Sequence, residues 1–161
     1  MWFEKDAEAA MNYYVSVFND SPYRSGESKV TTIQKYPEGI TEGPMAGMGG
    51  KVLTGVFVLS GQRFMALDGG PVFKPSGAIS YLIECKDQEE IDHFWSKLSS
   101  VPEAEQCGWC KDKFGFTWQV VPDMTRWMNE KDKAAAGRAM QAMLKMKKII
   151  VADLDAAYKG A

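Results

Sequence analysis

The sequence predicts an α+β fold made of two copies of one strand–helix–strand module, with a helical extension behind them. Three observations carry this. Two segments about 81 positions apart repeat each other. β-prone runs bounded by turn residues surround both segments. Past Asp123 the composition shifts to Ala, Met and Lys, all good helix formers.

The repeat sets the first and second helices. Asp6-Ala7-Glu8-Ala9-Ala10-Met11-Asn12-Tyr13-Tyr14-Val15-Ser16-Val17 aligns with Asp87-Gln88-Glu89-Glu90-Ile91-Asp92-His93-Phe94-Trp95-Ser96-Lys97-Leu98. Asp6 and Asp87 are natural N-caps, because a carboxylate accepts bonds from the free amides of a first turn. Glu90, three residues after Asp87, completes a capping box. Ile91, Phe94, Trp95 and Leu98 share one helical face, as do Ala10, Tyr13, Tyr14 and Val17.

Strands follow in order. Only about five residues precede Asp6, so the first strand of the first module is nearly absent. Lys29 to Tyr36, Val52 to Leu59 and Arg63 to Leu67 read as strands, the last two joined by a tight hairpin at Ser60-Gly61-Gln62. The Gly- and Pro-rich stretch Pro37 to Gly50 reads as a loop. In the second module Ala78 to Cys85 is a strand before the helix. Glu105 to Trp109 and Phe116 to Val121 flank the turn Lys111-Asp112-Lys113-Phe114-Gly115. Asp132 to Lys147 reads as a helix with Ala136, Met140, Met143, Leu144 and Lys147 on one side, and Val151 to Tyr158 as a shorter one. That stripe has no reason to fold alone and should dock on the sheets or on a second subunit. The modules are placed at residues 1–75 and 76–123 and the extension at 124–161, all within one unit.

Composition bounds the function. The chain has 161 residues, 45% hydrophobic and 25% charged, which is ordinary globular composition. A net charge of −2 and a pI near 5.5 lack the positive field that phosphate backbones require, so no nucleic-acid partner is expected. Lys145, Lys147 and Lys148 form a small basic group that reads as a solvated helix end. No apolar run approaches bilayer length and no signal peptide is recognised, so no membrane partner is expected. Three cysteines do not suggest a disulfide framework, and a cytoplasmic setting is the expectation.

The repeat and the hairpin leading into Ala66-Leu67-Asp68-Gly69-Gly70-Pro71 resemble one family. Cys107-Gly108-Trp109, Lys111-Asp112-Lys113-Phe114-Gly115, Trp118-Gln119, Pro122 and the tail Met140-Gln141-Ala142-Met143-Leu144-Lys145-Met146-Lys147-Lys148 add to the likeness. The chain resembles the PhnB-like branch of the glyoxalase/bleomycin-resistance/dioxygenase (vicinal oxygen chelate) superfamily, a branch also labelled demethylubiquinone methyltransferase-like. The resemblance implies paired βαβββ modules with cupped mixed or antiparallel sheets, a homodimer, and a cavity for a small molecule. In metal-dependent relatives it implies ligands on strand ends of both modules, holding an ion that polarises vicinal oxygens.

That ligand set does not carry over. The second module's early position falls at or near Ser80 and its late position at Gln119. The first module's late position falls near Ala66 to Asp68, and its early one before Met1 or beside Trp2. Ser, Gln and Ala are poor partners for a transition metal. His93, the only histidine, lies off the apolar face of its helix and reads as solvated, so neither a histidine-metal site nor a Ser-His-Asp triad has its central part. No metal and no cofactor are expected.

Other candidates weigh as follows. Cys107-Gly108-Trp109-Cys110 is a CxxC followed by a turn and a strand rather than a helix, so buried strand cysteines outrank redox use. Met45-Ala46-Gly47-Met48-Gly49-Gly50 precedes a strand, not a helix, and reads as a loop at a cavity mouth rather than a nucleotide or S-adenosylmethionine site. Asp68 reads first as a cap for the Gly69-Gly70-Pro71 turn and second as a carboxylate at a cavity rim, a candidate general base. Trp2, Tyr81, Trp109, Trp118 and Phe116 lie on or beside strands, where most aromatics are core. Strand alternation points Trp118 and Gln119 to opposite faces, and the family register favours Gln119 toward the pocket.

The functional expectation is a protein that binds a small, partly apolar molecule. Its candidate ligand-binding residues are Trp2, Ser80, Tyr81, Trp109, Trp118 and Gln119, with Asp68 and Gln119 the candidate catalytic groups. The alternative is an enzyme of the same fold, of lyase, isomerase, oxygenase or transferase type, working without a histidine-bound metal.

Overall fold

The computed structural model of the chain describes residues 1–23, 26–128 and 132–161. They form two compact units, Met1–Pro75 and Ser76–Ala161, and the helical extension belongs to the second.

In the first unit, β1 (Trp2–Phe3), α1 (Ala7–Asn19), β2 (Lys29–Lys35), β3 (Val52–Leu59) and β4 (Gln62–Asp68) follow in order. The sheet runs β1-β4-β3-β2, with β1 parallel to β4 and the other pairs antiparallel. α1 buries Ala7, Ala10, Met11, Tyr14 and Val17, the expected stripe less Tyr13. Tyr14 stacks on Phe57, and Phe57 on Phe64, so these strand residues face the helix. The cross-strand pairs Gly55–Ala66 and Phe57–Phe64 lie on that face, while Val56–Met65 and Val58–Arg63 lie on the opposite, open face. The hairpin between β3 and β4 turns at Ser60 and Gly61, both at positive φ, as a two-residue turn requires.

The second unit has β5 (Ser80–Cys85), α2 (Gln88–Leu98), β6 (Trp109–Lys111), β7 (Thr117–Pro122), α3 (Lys133–Met143) and α4 (Val151–Lys159). Its sheet runs β5-β7-β6, with β5 and β7 parallel. α2 buries Ile91, Phe94 and Leu98, and the sheet residues buried on the same side include Ile83, Cys85, Cys110, Trp118 and Val120. Asp87 accepts from the Glu90 amide at 3.2 Å, and Glu90 reaches back to the Lys86 amide at 2.7 Å, a capping box displaced by one residue.

Three expectations change. The strand placed at Glu105 to Trp109 begins at Trp109, because Cys107 and Gly108 both take positive φ and make a two-residue turn closed by Gln106 and Trp109. The helix drawn to Lys147 stops at Met143, and the chain beyond it supplies the Met146 and Lys147 carbonyls to the Cys107 and Gly108 amides at 2.8 Å each. α3 buries Ala135 and Ala139, leaving Met140 and Leu144 exposed, so its buried side is the alanine side. Small residues permit close approach to α4, its main contact. Among the described residues no helix is long and apolar enough to cross a membrane.

Candidate functional site

The sheet face of the second unit that points away from α2 is the candidate site, and the strand register lays it out in rows. Ser80, Thr117 and Lys111 are cross-strand partners in the first row. Leu82, Gln119 and Trp109 make the second, and Glu84 and Val121 the third. Within the second row, Gln119 stands between two apolar side chains that stay open, Leu82 at 60% and Trp109 at 37% of their full exposure. Gln119 Nε2 donates to Ser80 Oγ at 2.8 Å, linking the first two rows. The Ser80 hydroxyl, used there as an acceptor, keeps its own proton to donate, and Gln119 keeps a carbonyl oxygen. Thr117 Oγ1 is buried without a hydrogen-bond partner among the described residues.

Tyr81 and Trp118 are corrected by the same register. They are cross-strand partners with rings 5.1 Å apart, on the face opposite Gln119. Trp118 is fully buried and donates through Nε1 to Asp112 Oδ2 at 2.7 Å. Asp112 also takes the Phe114 and Phe116 amides at 2.8 and 3.0 Å, which shapes the turn between β6 and β7. Burial, with the Asp112 charge second, pushes the Tyr81 phenol above its ordinary value. These two aromatics hold the core beneath the site and do not line it.

Asp68 has a third role that neither sequence reading named. It is 1% exposed, with Oδ1 accepting from the Ala7 amide at 2.8 Å and Oδ2 from the Val52 amide at 2.9 Å. It therefore caps α1 from β4 and anchors the start of β3. Asp6, expected to cap α1, makes no side-chain cap bond. Beside Asp68 a recess of about 390 Å³ is lined by Lys5, Asn12 and Lys51 among others. Asp68 itself lines this recess together with Asp6 and Glu8, but both of its carboxylate oxygens are engaged by backbone amides.

Trp2 belongs to the first unit and is partly buried. Its Nε1 donates to the Gly70 carbonyl at 3.0 Å and its ring meets Phe73 edge-on at 4.9 Å. A Cβ on Gly69 would lie 2.1 Å from that ring, so glycine is what lets Trp2 lie flat over the turn. Cys107 is half-buried in its turn rather than in a strand, whereas Cys110 is a buried strand thiol as expected. Burial pushes the Cys110 thiol up to about 12. His93 lies edge-on to Phe94 with ring centroids 5.1 Å apart.

Neither unit's candidate residues suit the divalent ion that the resemblance implies for metal-dependent relatives. Ser80 and Gln119 are neutral and bonded to each other, and Asp68 is spent on backbone amides. The open-face residues of β4 near its end are Met65 and Leu67, since Ala66 and Asp68 turn to the helix side. Among the described residues no three of His, Cys, Asp or Glu cluster as a metal site. Sequence reasoning missed Thr117, Lys111 and Leu82. The alternation that favoured Gln119 also selects Thr117, two residues earlier on the same strand.

The family model described as 3-demethylubiquinone-9 3-methyltransferase matches residues 1–121. A PhnB protein from Bacillus cereus is 34% identical, with a TM-score of 0.58, the match covering 75% of this chain and 95% of that one. A protein from Pseudomonas aeruginosa, 16% identical, shares the fold with a TM-score of 0.53 over 76% of this chain and 92% of its own. No curated protein matches the chain.

Proposed function

We propose, from the premise that this chain belongs to the PhnB-like, 3-demethylubiquinone-9 3-methyltransferase-like family and has its glyoxalase-like fold, that it binds a small, partly apolar molecule on the open sheet face of its second unit. One observation carries the reading: the hydrogen-bonded Ser80–Gln119 pair flanked by exposed Leu82 and Trp109. Exposed apolar side chains beside a few fixed polar atoms are the usual make-up of a small-molecule site. We further infer a homodimer in the cytoplasm. Exposed Met65 and Leu82 on the open faces favour a covering partner, and three free thiols suit a reducing compartment.

The methyltransferase in the family's name draws no support from this chain's own residues. A dinucleotide-type S-adenosylmethionine site needs a parallel, doubly wound sheet and a Gly-rich turn opening a helix. Here Met45 to Gly50 joins β2 to β3, which are antiparallel. For the enzymatic alternative, the ionisable residues of this face, Lys111 and Glu84, each lie one row away from Gln119, on either side of it.

Thermal-shift screening of small aromatic and aliphatic molecules tests the reading. Hits should raise the melting point of the wild type and lose that effect in Trp109→Ala and Gln119→Ala. Hits that stabilise both variants as well as the wild type would place binding elsewhere.

A further inference from the structure

The first row of the open face holds what the proposed function leaves unused. Thr117 is 8% exposed, and its hydroxyl has no partner among the described residues. A buried hydroxyl without a bond costs about 1–3 kcal/mol, so such a group is rare unless something else completes it. Its cross-strand neighbours are Ser80, with a proton left to donate, and Lys111, which makes no ion pair among the described residues. The carboxylate next to Lys111 in sequence, Asp112, is buried and bonded to Trp118 and to two amides. Glu84 shares the open face but lies two rows away, about 13 Å along the strands, beyond the screening length at physiological salt.

We propose that this row recognises an oxyanion, most simply a carboxylate, on the small molecule whose apolar body rests on Leu82 and Trp109. The inference rests on the binding reading and adds the charge of the ligand to it. Three donors converge on one row: the Lys111 ammonium, the Thr117 hydroxyl and the Ser80 hydroxyl. A carboxylate is an acceptor at both oxygens and satisfies such a set, while an amide or alcohol of the same shape does not. A rotation of about 120° around χ1 carries the Thr117 hydroxyl from its closed position to another staggered position, from which it can meet the ligand. The apolar second row begins one side-chain repeat away, about 7 Å, so an aromatic carboxylate one ring long spans both.

The test uses the full chain with benzoate and its uncharged isostere benzamide. Binding is followed by NMR at the Trp109 indole and the Thr117 amide. Benzoate should bind about tenfold more tightly than benzamide, the worth of one charge-assisted hydrogen bond. Lys111→Met should abolish that preference. Thr117→Val should weaken benzoate several-fold with the fold kept, and Thr117→Ser, which keeps the hydroxyl, should restore it. Equal binding of the two probes at Trp109, or a folded Thr117→Val variant with unchanged benzoate affinity, overturns the oxyanion assignment and leaves the binding site standing. Failure of both probes to move the Trp109 and Thr117 signals overturns the assignment together with the site on which it rests.

Discussion

Replacing Asp68 separates a structural carboxylate from a catalytic one. Its two oxygens hold the Ala7 and Val52 amides, and it is 1% exposed. Asp68→Ala leaves both amides without their acceptor. Loss of the bond at the first turn of α1 should cost about 1–2 kcal/mol, as for a helix cap. Loss of the bond to the start of β3 should cost about 1.5–3 kcal/mol, as for a hydrogen bond to a charged group. Together the change is about 2.5–5 kcal/mol, a large share of the roughly 5–15 kcal/mol that holds a domain. With a urea slope of about 2 kcal/mol per molar, the midpoint should fall by about 2 M. Asp68→Asn keeps one acceptor and turns an amide N–H against the other donor, so its midpoint should fall by roughly half as much. Urea unfolding followed by far-UV circular dichroism reads all three proteins. An Asp68→Ala midpoint within about 0.3 M of the wild type would refute the argument that this carboxylate ties the helix to the sheet.

Four further outcomes follow from the same geometry. In native protein at pH 8, iodoacetamide should label Cys107 first and spare Cys85 and Cys110, because burial shields both and raises both thiols above their ordinary range; mass spectrometry of the labelled peptides reads the order, and rapid labelling of Cys110 would contradict its place beneath the sheet. Because the folded pKa of Cys110 lies above its unfolded value of 9.0, at about 12, its contribution to stability is complete below pH 9 and is lost as pH rises toward 12, a decline that Cys110→Ala should reduce in alkaline unfolding. Gly69→Ala should destabilise by about 1–3 kcal/mol through the Trp2 ring, and pairing it with Trp2→Leu should cost less than the sum of the single changes in a urea double-mutant cycle. Ile149→Ala, at a fully buried site in the segment after α3, should cost about 2–4 kcal/mol, and a cost below about 1 kcal/mol would show that the segment is not docked.

Periodicity made the helices and most strands legible. Local signals sufficed for the α2 stripe, the Asp87–Glu90 box and the Ser60–Gly61 hairpin, since each acts over a few residues. The backbone partners of Asp68 were not legible because Ala7 and Val52 are 61 and 16 positions away, and a carboxylate before Gly-Gly-Pro satisfies a local turn rule equally well. Of the six candidate ligand residues, alternation alone separates Gln119 from Trp118, and extending it to the partner strand removes Tyr81 and retains Ser80. Trp109 needed its turn to be known first. Had the strand begun at Glu105, Trp109 would have ended it rather than opened β6 opposite Gln119.

The segment after α3 shows why propensity failed most in the extension. Lys145, Met146, Lys147 and Lys148 are all good helix formers, and the sequence pattern carries the helix to Lys147. The decisive demand comes from the other end of the unit. Gly108 takes φ 82° with Val121 Cγ1 only 2.6 Å from where a Cβ would sit, so the turn before β6 is packed too closely for any side chain there. Such a turn aims the Cys107 and Gly108 amides outward, and Gly108 is buried. Two amides kept from water without acceptors would cost more than the few tenths of a kcal/mol per residue gained by continuing the helix. The Met146 and Lys147 carbonyls meet them instead, Gln106 adds a bond to the Leu144 carbonyl at 2.7 Å, and Gln88 closes over Ile149 and Val151. The family match ends at residue 121, so the acceptors for a turn inside the matched region come from residues outside it. The extension is thus part of the second unit's hydrogen bonding, and the turn that places Trp109 on the open face depends on it.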